Sequence, residues 1–134
     1  MANALYGLGK QKLLSGSIDL TTATMKASLI STSYTANLTT DEFYSTPVAF
    51  LLNSAALLAS KTVTLGVFDA ADITFSAVTS GATAKCVVIW KDTGSNATSP
   101  LLAYIDTITG FPLATNGGDI TIVWDSGANK IFAL

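Results

Sequence analysis

Nine carboxylates, seven lysines and one cysteine make up the conventional catalytic equipment of this 134-residue chain, which has no histidine and no arginine. Without histidine the commonest general base and metal ligand is missing. Ser/His/Asp and Cys/His nucleophile systems are therefore excluded. A Ser/Lys pair is the remaining nucleophile chemistry, yet neither Ser-x-x-Lys nor Gly-x-Ser-x-Gly occurs. Asp69 and Asp72 flank one loop and Asp41 adjoins Glu42, the minimum for a paired-carboxylate glycosidase, but so short a chain offers little sugar cleft. Turn formation and helix capping explain those acids more simply. Asp69 and Asp72 lack the run of acidic ligands that a Ca²⁺ loop uses. Gly7-Leu8-Gly9-Lys10 lacks the first Gly of a phosphate loop and the Ser/Thr after its Lys, and follows no predicted strand. Cys86 lies within Ala84-Lys85-Cys86-Val87-Val88-Ile89 and reads as a buried core thiol. The expectation is a non-enzymatic protein with no catalytic residue, metal or cofactor.

The rest of the composition points to contact, not catalysis. Half of the chain is hydrophobic (49%) and only 12% is charged, about half the usual share. Thr and Ser supply most of the polarity and solvate weakly, so a mean hydropathy of +0.49 predicts apolar contact surface as well as core. Scattered lysines and a net charge of −2 provide no basic stripe, so no nucleic-acid partner is expected. The longest apolar run, Val48 to Ala59, is too short for a bilayer and contains Asn53, and no signal peptide opens the chain, so no membrane partner is expected either. Synthesis in a reducing cytoplasm is the default.

One domain spanning residues 1–134 is expected, with residues 1–16 as an N-terminal helix or arm. Within that arm, Asn3 to Leu14 reads as a helix capped by Asn3 and closed by Gly16. Strand patterns follow. Met25, Ala27 and Leu29 alternate with Thr24, Lys26 and Ser28. Thr39 to Glu42 matches a capping box leading into one helical turn through Phe43 and Tyr44. Val48–Leu52, Leu57–Ser60, Thr62–Phe68, Ile73–Val78, Ala84–Trp90 and Leu101–Ile105 read as strands, with Ala84–Trp90 apolar enough to be covered on both faces. Ile120–Trp124 and Lys130–Leu134 read as a terminal hairpin whose turn uses Gly127 or Asn129 at positive φ. About eight short strands with turns every 8 to 12 residues predict an all-β fold, a β-sandwich or jelly roll.

Trp90 and Trp124 fall on strands and are expected in the core. Tyr6, Tyr34, Phe43, Tyr44 and Phe111 fall on the end helix, loops or turns, where amphipathic rings anchor interfaces, and they are the interface candidates.

Several short segments belong together: Met1 to Tyr6 with Gly9-Lys10, Ser15-Gly16-Ser17-Ile18-Asp19, Gly66-Val67-Phe68-Asp69, Asp72-Ile73-Thr74-Phe75 and Lys91-Asp92-Thr93-Gly94. Tyr104-Ile105-Asp106-Thr107, Asn116 to Ile120 and Trp124-Asp125-Ser126-Gly127 complete the set. Taken together they resemble small virion structural proteins of tailed bacteriophages, a likeness that spans most of the chain; Ala36 to Ala59 departs from it. These are turn and strand patterns and transfer no catalytic residue. The resemblance implies a capsid decoration (cement) protein, made in the host bacterial cytoplasm and housed in the virion. Its implied partners are itself, as a homo-oligomer with a trimer favoured, and the major capsid protein or another virion protein. A neck or tail accessory protein is the alternative. A carbohydrate-binding module using Tyr34, Tyr44 or Phe111 as stacking platforms is a third expectation.

Overall fold

In a computed structural model that describes residues 3–134, the chain opens with a two-residue strand, β1 (Ala4–Leu5), and passes directly into α1 (Gly7–Leu14). Asn3 is not the helix cap. Its Oδ1 accepts the N–H groups of Asp106 and Thr107, both at 2.9 Å, because residues 4–5 are taken up by strand pairing and the helix starts after Tyr6. The helix end matches the sequence reading. Gly16 takes φ +81°, its N–H bonds Leu13 O, and the Ser17 N–H bonds Lys12 O, which closes the last turn as a Schellman motif. Gly9 lets the helix touch the sheet: a Cβ there would stand 2.5 Å from Leu101 O and 3.0 Å from Leu102 Cα.

The remaining strands are β2 (Met25–Ser31), β3 (Ala56–Leu57), β4 (Thr62–Thr64), β5 (Val67–Asp69), β6 (Ile73–Phe75), β7 (Thr83–Lys91), β8 (Leu101–Ile105), β9 (Leu113–Ala114), β10 (Ile120–Ile122) and β11 (Phe132–Ala133). The protein is all-β with one short helix. The main sheet runs β1-β8-β7-β2-β3, with β9 added to β7; β10-β6 and β11-β5-β4 form two smaller sheets. All pairs are antiparallel. One face of the main sheet, through Met25, Ala27, Leu29, Val87 and Ile89, packs on Phe68, Phe75, Ile120 and Ile122 of the small sheets as a sandwich-like core. The other face, through Ile30, Val88, Trp90 and Tyr104, lies under Tyr6 at the start of α1 and the segment carrying Tyr34 and Tyr44. β7 is therefore covered on both faces, as its nearly all-apolar run, interrupted by Lys85, predicts.

The polar side of β2 differs from expectation. Ser28 is fully buried, because the 34–51 segment covers what alternation alone would assign to solvent. That segment also replaces the predicted strand at Val48–Leu52: Pro47–Phe50 is a 3₁₀ turn, and only Leu51 bridges to Ile30. The predicted Thr62–Phe68 strand is a hairpin, β4 and β5, folded at Leu65-Gly66. Both loop residues have positive φ (51° and 80°), the two-residue type that matches strand twist. Leu at its first position costs about 1 kcal/mol, since a side chain with a Cβ resists left-handed backbone.

The terminal hairpin is likewise replaced. β10 pairs with β6 (Ile120↔Phe75, Ile122↔Ile73) and β11 pairs with β5 (Phe132↔Phe68), so the two strands go to different sheets. Where the two strands diverge, Asp72 at the β5–β6 corner accepts the Trp124 N–H at 2.9 Å, while Trp124 Nε1 donates to Ala71 O. In the intervening loop the positive φ falls on Lys130 (48°), not on Gly127 or Asn129. The total surface of 6551 Å² is what area scaling gives for a compact monomer of this mass, about 6,600 Å².

Candidate functional site

The aromatic residues expected at an interface are mostly consumed inside the chain. Tyr6 is 0% exposed, Tyr34 1% and Tyr44 2%. The Tyr34 hydroxyl donates to Asp41 Oδ2 at 2.8 Å, so the 2.8 Å contact between the two tyrosines is a bond from Tyr6 to Tyr34. Asp41 also receives the Asn37 N–H, and Asn37 Oδ1 in return accepts the N–H groups of Thr39 and Thr40. The reciprocal cap thus begins at Asn37, two residues before the predicted capping box, and orders a turn with no helix behind it.

A second network lies beside the first. The Tyr44 and Trp90 rings stack with centroids 3.9 Å apart and planes 8° apart. Trp90 Nε1 donates to Ser28 Oγ, which shares a 2.7 Å hydrogen bond with the Tyr44 hydroxyl. These hydroxyls cap the outer side of the main sheet and cannot reach a partner or stack on a sugar. A buried ring satisfied by a buried hydroxyl is a packing element. Phe43 and Phe111 are half-buried. Lys12 Nζ lies 5.5 Å over the Phe43 ring and 2.6 Å from Glu42 Oε1, and Phe111 packs on the main core.

Burial governs the titration of the interior groups. Desolvation raises the Cys86 thiol to about 12, so it is a neutral core thiol and not a nucleophile. Desolvation likewise raises Tyr6, Tyr34, Tyr44 and Tyr104, the chain's four tyrosines. On the surface, a hydrogen bond from Lys26 holds Asp92 below the usual carboxylate range, and the Thr21 hydroxyl does the same for Asp19.

The carboxylates do not converge. Asp41, Glu42 and Asp72 are each engaged by the local partners described above, and Asp69 stands on β5 opposite Thr62. Among the described residues, no three His, Cys, Asp or Glu side chains gather as a metal shell, and no helix is long and apolar enough to cross a membrane.

Among the described residues, six large apolar side chains are exposed. Val63, Leu65 and Leu134 are exposed on or beside the β4-β5-β11 sheet, Leu65 at 99%. Leu14, Leu57 and Val123 are exposed elsewhere. At the β11 side of that small sheet, a cleft of about 740 Å³ opens between β11, β10 and the β1–β8 end of the main sheet. Leu5, Ile108, Ile122, Val123 and Phe132 supply its apolar lining and Asn3, Thr107, Thr109, Thr121 and Asn129 its polar one, with Asp125 and Lys130 as its two charges. Sequence patterning missed both features, because Thr62 to Phe68 reads as one unbroken strand and the cleft is assembled from segments a hundred residues apart.

Comparison with protein-family models gave no match for this chain, and comparison with curated proteins gave none.

Proposed function

We propose that this chain is a non-enzymatic structural subunit of a tailed-bacteriophage virion, working as a capsid decoration (cement) protein that stabilises the head by contacts with its own copies and with the shell. The observation that supports it most is that most buried hydroxyls, Tyr104 excepted, are engaged inside the molecule while a set of large apolar side chains faces outward. The hydroxyls of Tyr6, Tyr34, Tyr44 and Ser28 and the carboxylate of Asp41 serve internal bonds. Leu65, Val123 and Leu134 face solvent on a chain with few charges to offset them. Apolar area of this kind yields about 25 cal/mol per Å² when covered, before the entropy of association is subtracted. Homo-oligomerisation, with a trimer favoured, multiplies such weak contacts through effective concentration. The resemblance of the turn motifs to small virion proteins supplies the setting.

The test is stoichiometry in purified particles. A decoration protein appears in hundreds of copies per virion, measured by gel densitometry against the major capsid protein. About a dozen copies would move the protein to the neck or tail, and its absence from virions would overturn the reading.

A further inference from the structure

We propose that Asn116 is a site of self-modification: its carboxamide is converted to a carboxylate by cyclisation onto the backbone nitrogen of Gly117, at a rate set by local opening of the turn that carries it. This goes beyond the structural role proposed above and does not depend on it.

The turn Asn116-Gly117-Gly118-Asp119 connects β9 to β10, and all of it is exposed. The chain has six asparagines, and only Asn116 precedes a glycine. The reaction needs an attacking backbone nitrogen that no side chain shields, and Gly117 supplies it because it lacks a Cβ. That nitrogen loses its proton and bonds to Asn116 Cγ, and the Cγ–Nδ2 bond breaks to release ammonia, leaving a cyclic imide. Water then cleaves one of the two carbonyl–nitrogen bonds. Cleavage at Cγ gives aspartate; cleavage at the main-chain carbonyl carbon gives isoaspartate. Water is consumed and ammonia released, with no oxidation or reduction. Either product adds one negative charge to a chain whose net charge is −2.

The fold both places the carboxamide and restrains the step. Asn116 Oδ1 accepts the Gly118 N–H at 2.9 Å, and a Cβ on Gly118 would stand 2.9 Å from that same oxygen. The carboxamide therefore lies along the 117–118 backbone and not out in water. Gly117, at φ +86°, donates its N–H to Val78 O at 2.8 Å, and the Val78 N–H returns a 3.0 Å bond to Gly118 O. A nitrogen whose proton is held by a carbonyl attacks only after that bond opens. Asp119 fastens the same corner by accepting the Ala77 N–H at 2.9 Å. Exposed turns open locally without global unfolding, so conversion in the folded chain is slow but not abolished. The two products differ in effect. Aspartate keeps an oxygen for the Gly118 N–H. Isoaspartate runs the main chain through the side-chain carbons, adding one methylene, which shifts Gly117 off Val78 and loosens the entry to the β6–β10 pair at Phe75↔Ile120.

The experiment incubates the full chain and its N116S variant at mildly alkaline pH, folded in buffer and unfolded in guanidinium chloride. Isoelectric focusing after desalting follows charge, and peptide mass mapping locates the change. Ser keeps an oxygen for the Gly118 N–H but has no amide to lose. The parent should gain an acidic form mapping to residue 116 alone, at least about tenfold more slowly when folded than when unfolded. N116S should gain none over the same period. N116D, made directly, should melt within about a degree of the parent, as a surface substitution that keeps its hydrogen bond does, and the isoaspartate form should melt lower than both. Equal rates in the folded and unfolded chain would overturn the hold on Gly117. An acidic form in N116S, or one mapping to another asparagine, would overturn the site. A folded parent that stays unconverted over many half-lives of the unfolded reaction would overturn the proposal as a whole.

Discussion

All four tyrosines and the cysteine of this chain are buried, and burial raises the ionisation of each above its value in water, strongly for Tyr6, Tyr34, Tyr104 and Cys86. Raising the pH therefore loads free energy onto the folded state. The unfolded chain releases these protons first, so above pH ~8.5 it binds fewer than the fold does, and stability declines as pH climbs. Cys86, at about 12 in the fold against about 8.5 when unfolded, alone removes about 3 kcal/mol by pH ~11. Each tyrosine that stays neutral inside adds up to about 1.4 kcal/mol for every unit above pH ~10. Cys86 together with Tyr6, Tyr34 and Tyr104 reaches the whole stability of an ordinary domain, about 5–15 kcal/mol. Tyrosinate absorbance and far-ultraviolet circular dichroism should consequently change together, in one steep transition near pH ~11, with no tyrosinate visible before the fold collapses. A tyrosine titrating smoothly near pH ~10 while the circular dichroism holds would refute the buried-hydroxyl account.

Other perturbations give results of distinct sign. Ala in place of Gly within a helix usually stabilises by up to about 1 kcal/mol, but Gly9→Ala pushes a Cβ into the backbone of residues 101–102 and should cost about 2 kcal/mol in a urea unfolding series. Ser28→Ala strands the Trp90 indole N–H and removes a partner of the Tyr44 hydroxyl, and should cost about 1–3 kcal/mol per orphaned group by the same assay. At the acid end, Asp92 is depressed by Lys26, so its contribution is present above pH ~3.9 and fades as pH falls through its folded value. Asp92→Asn should lower stability at neutral pH by less than about 1 kcal/mol, and thermal melts of parent and variant should converge by pH ~2.

What the sequence disclosed depended on how local the signal was. The β7 run and the Gly16 stop are written in consecutive residues, and both emerged where patterning places them. Leu101–Ile105 was legible for the same reason. The terminal hairpin was not, because Ile120–Trp124 and Lys130–Leu134 satisfy every local rule for pairing with each other. Their actual partners, β6 and β5, lie about fifty residues upstream or more, where Asp72 also accepts the Trp124 N–H. The two-residue turn at Leu65-Gly66 was hidden because Leu is a poor resident of left-handed backbone, so alternation carried the strand straight through it. Tyr6, Tyr34 and Tyr44 were placed at an interface for lying on a helix end and loops. Their burial follows from a covering segment, 34–51, whose path depends on distant partners in the main sheet. Phe43 and Phe111 stay half-exposed, and the exposed apolar role passed to Leu65, Val123 and Leu134.

Sedimentation velocity on the purified parent chain, from one to several hundred micromolar, tests most directly whether this is a subunit built to associate. The account predicts a coefficient that rises with concentration toward a small closed oligomer. A single, freely soluble 13.8 kDa species across the whole range would contradict it.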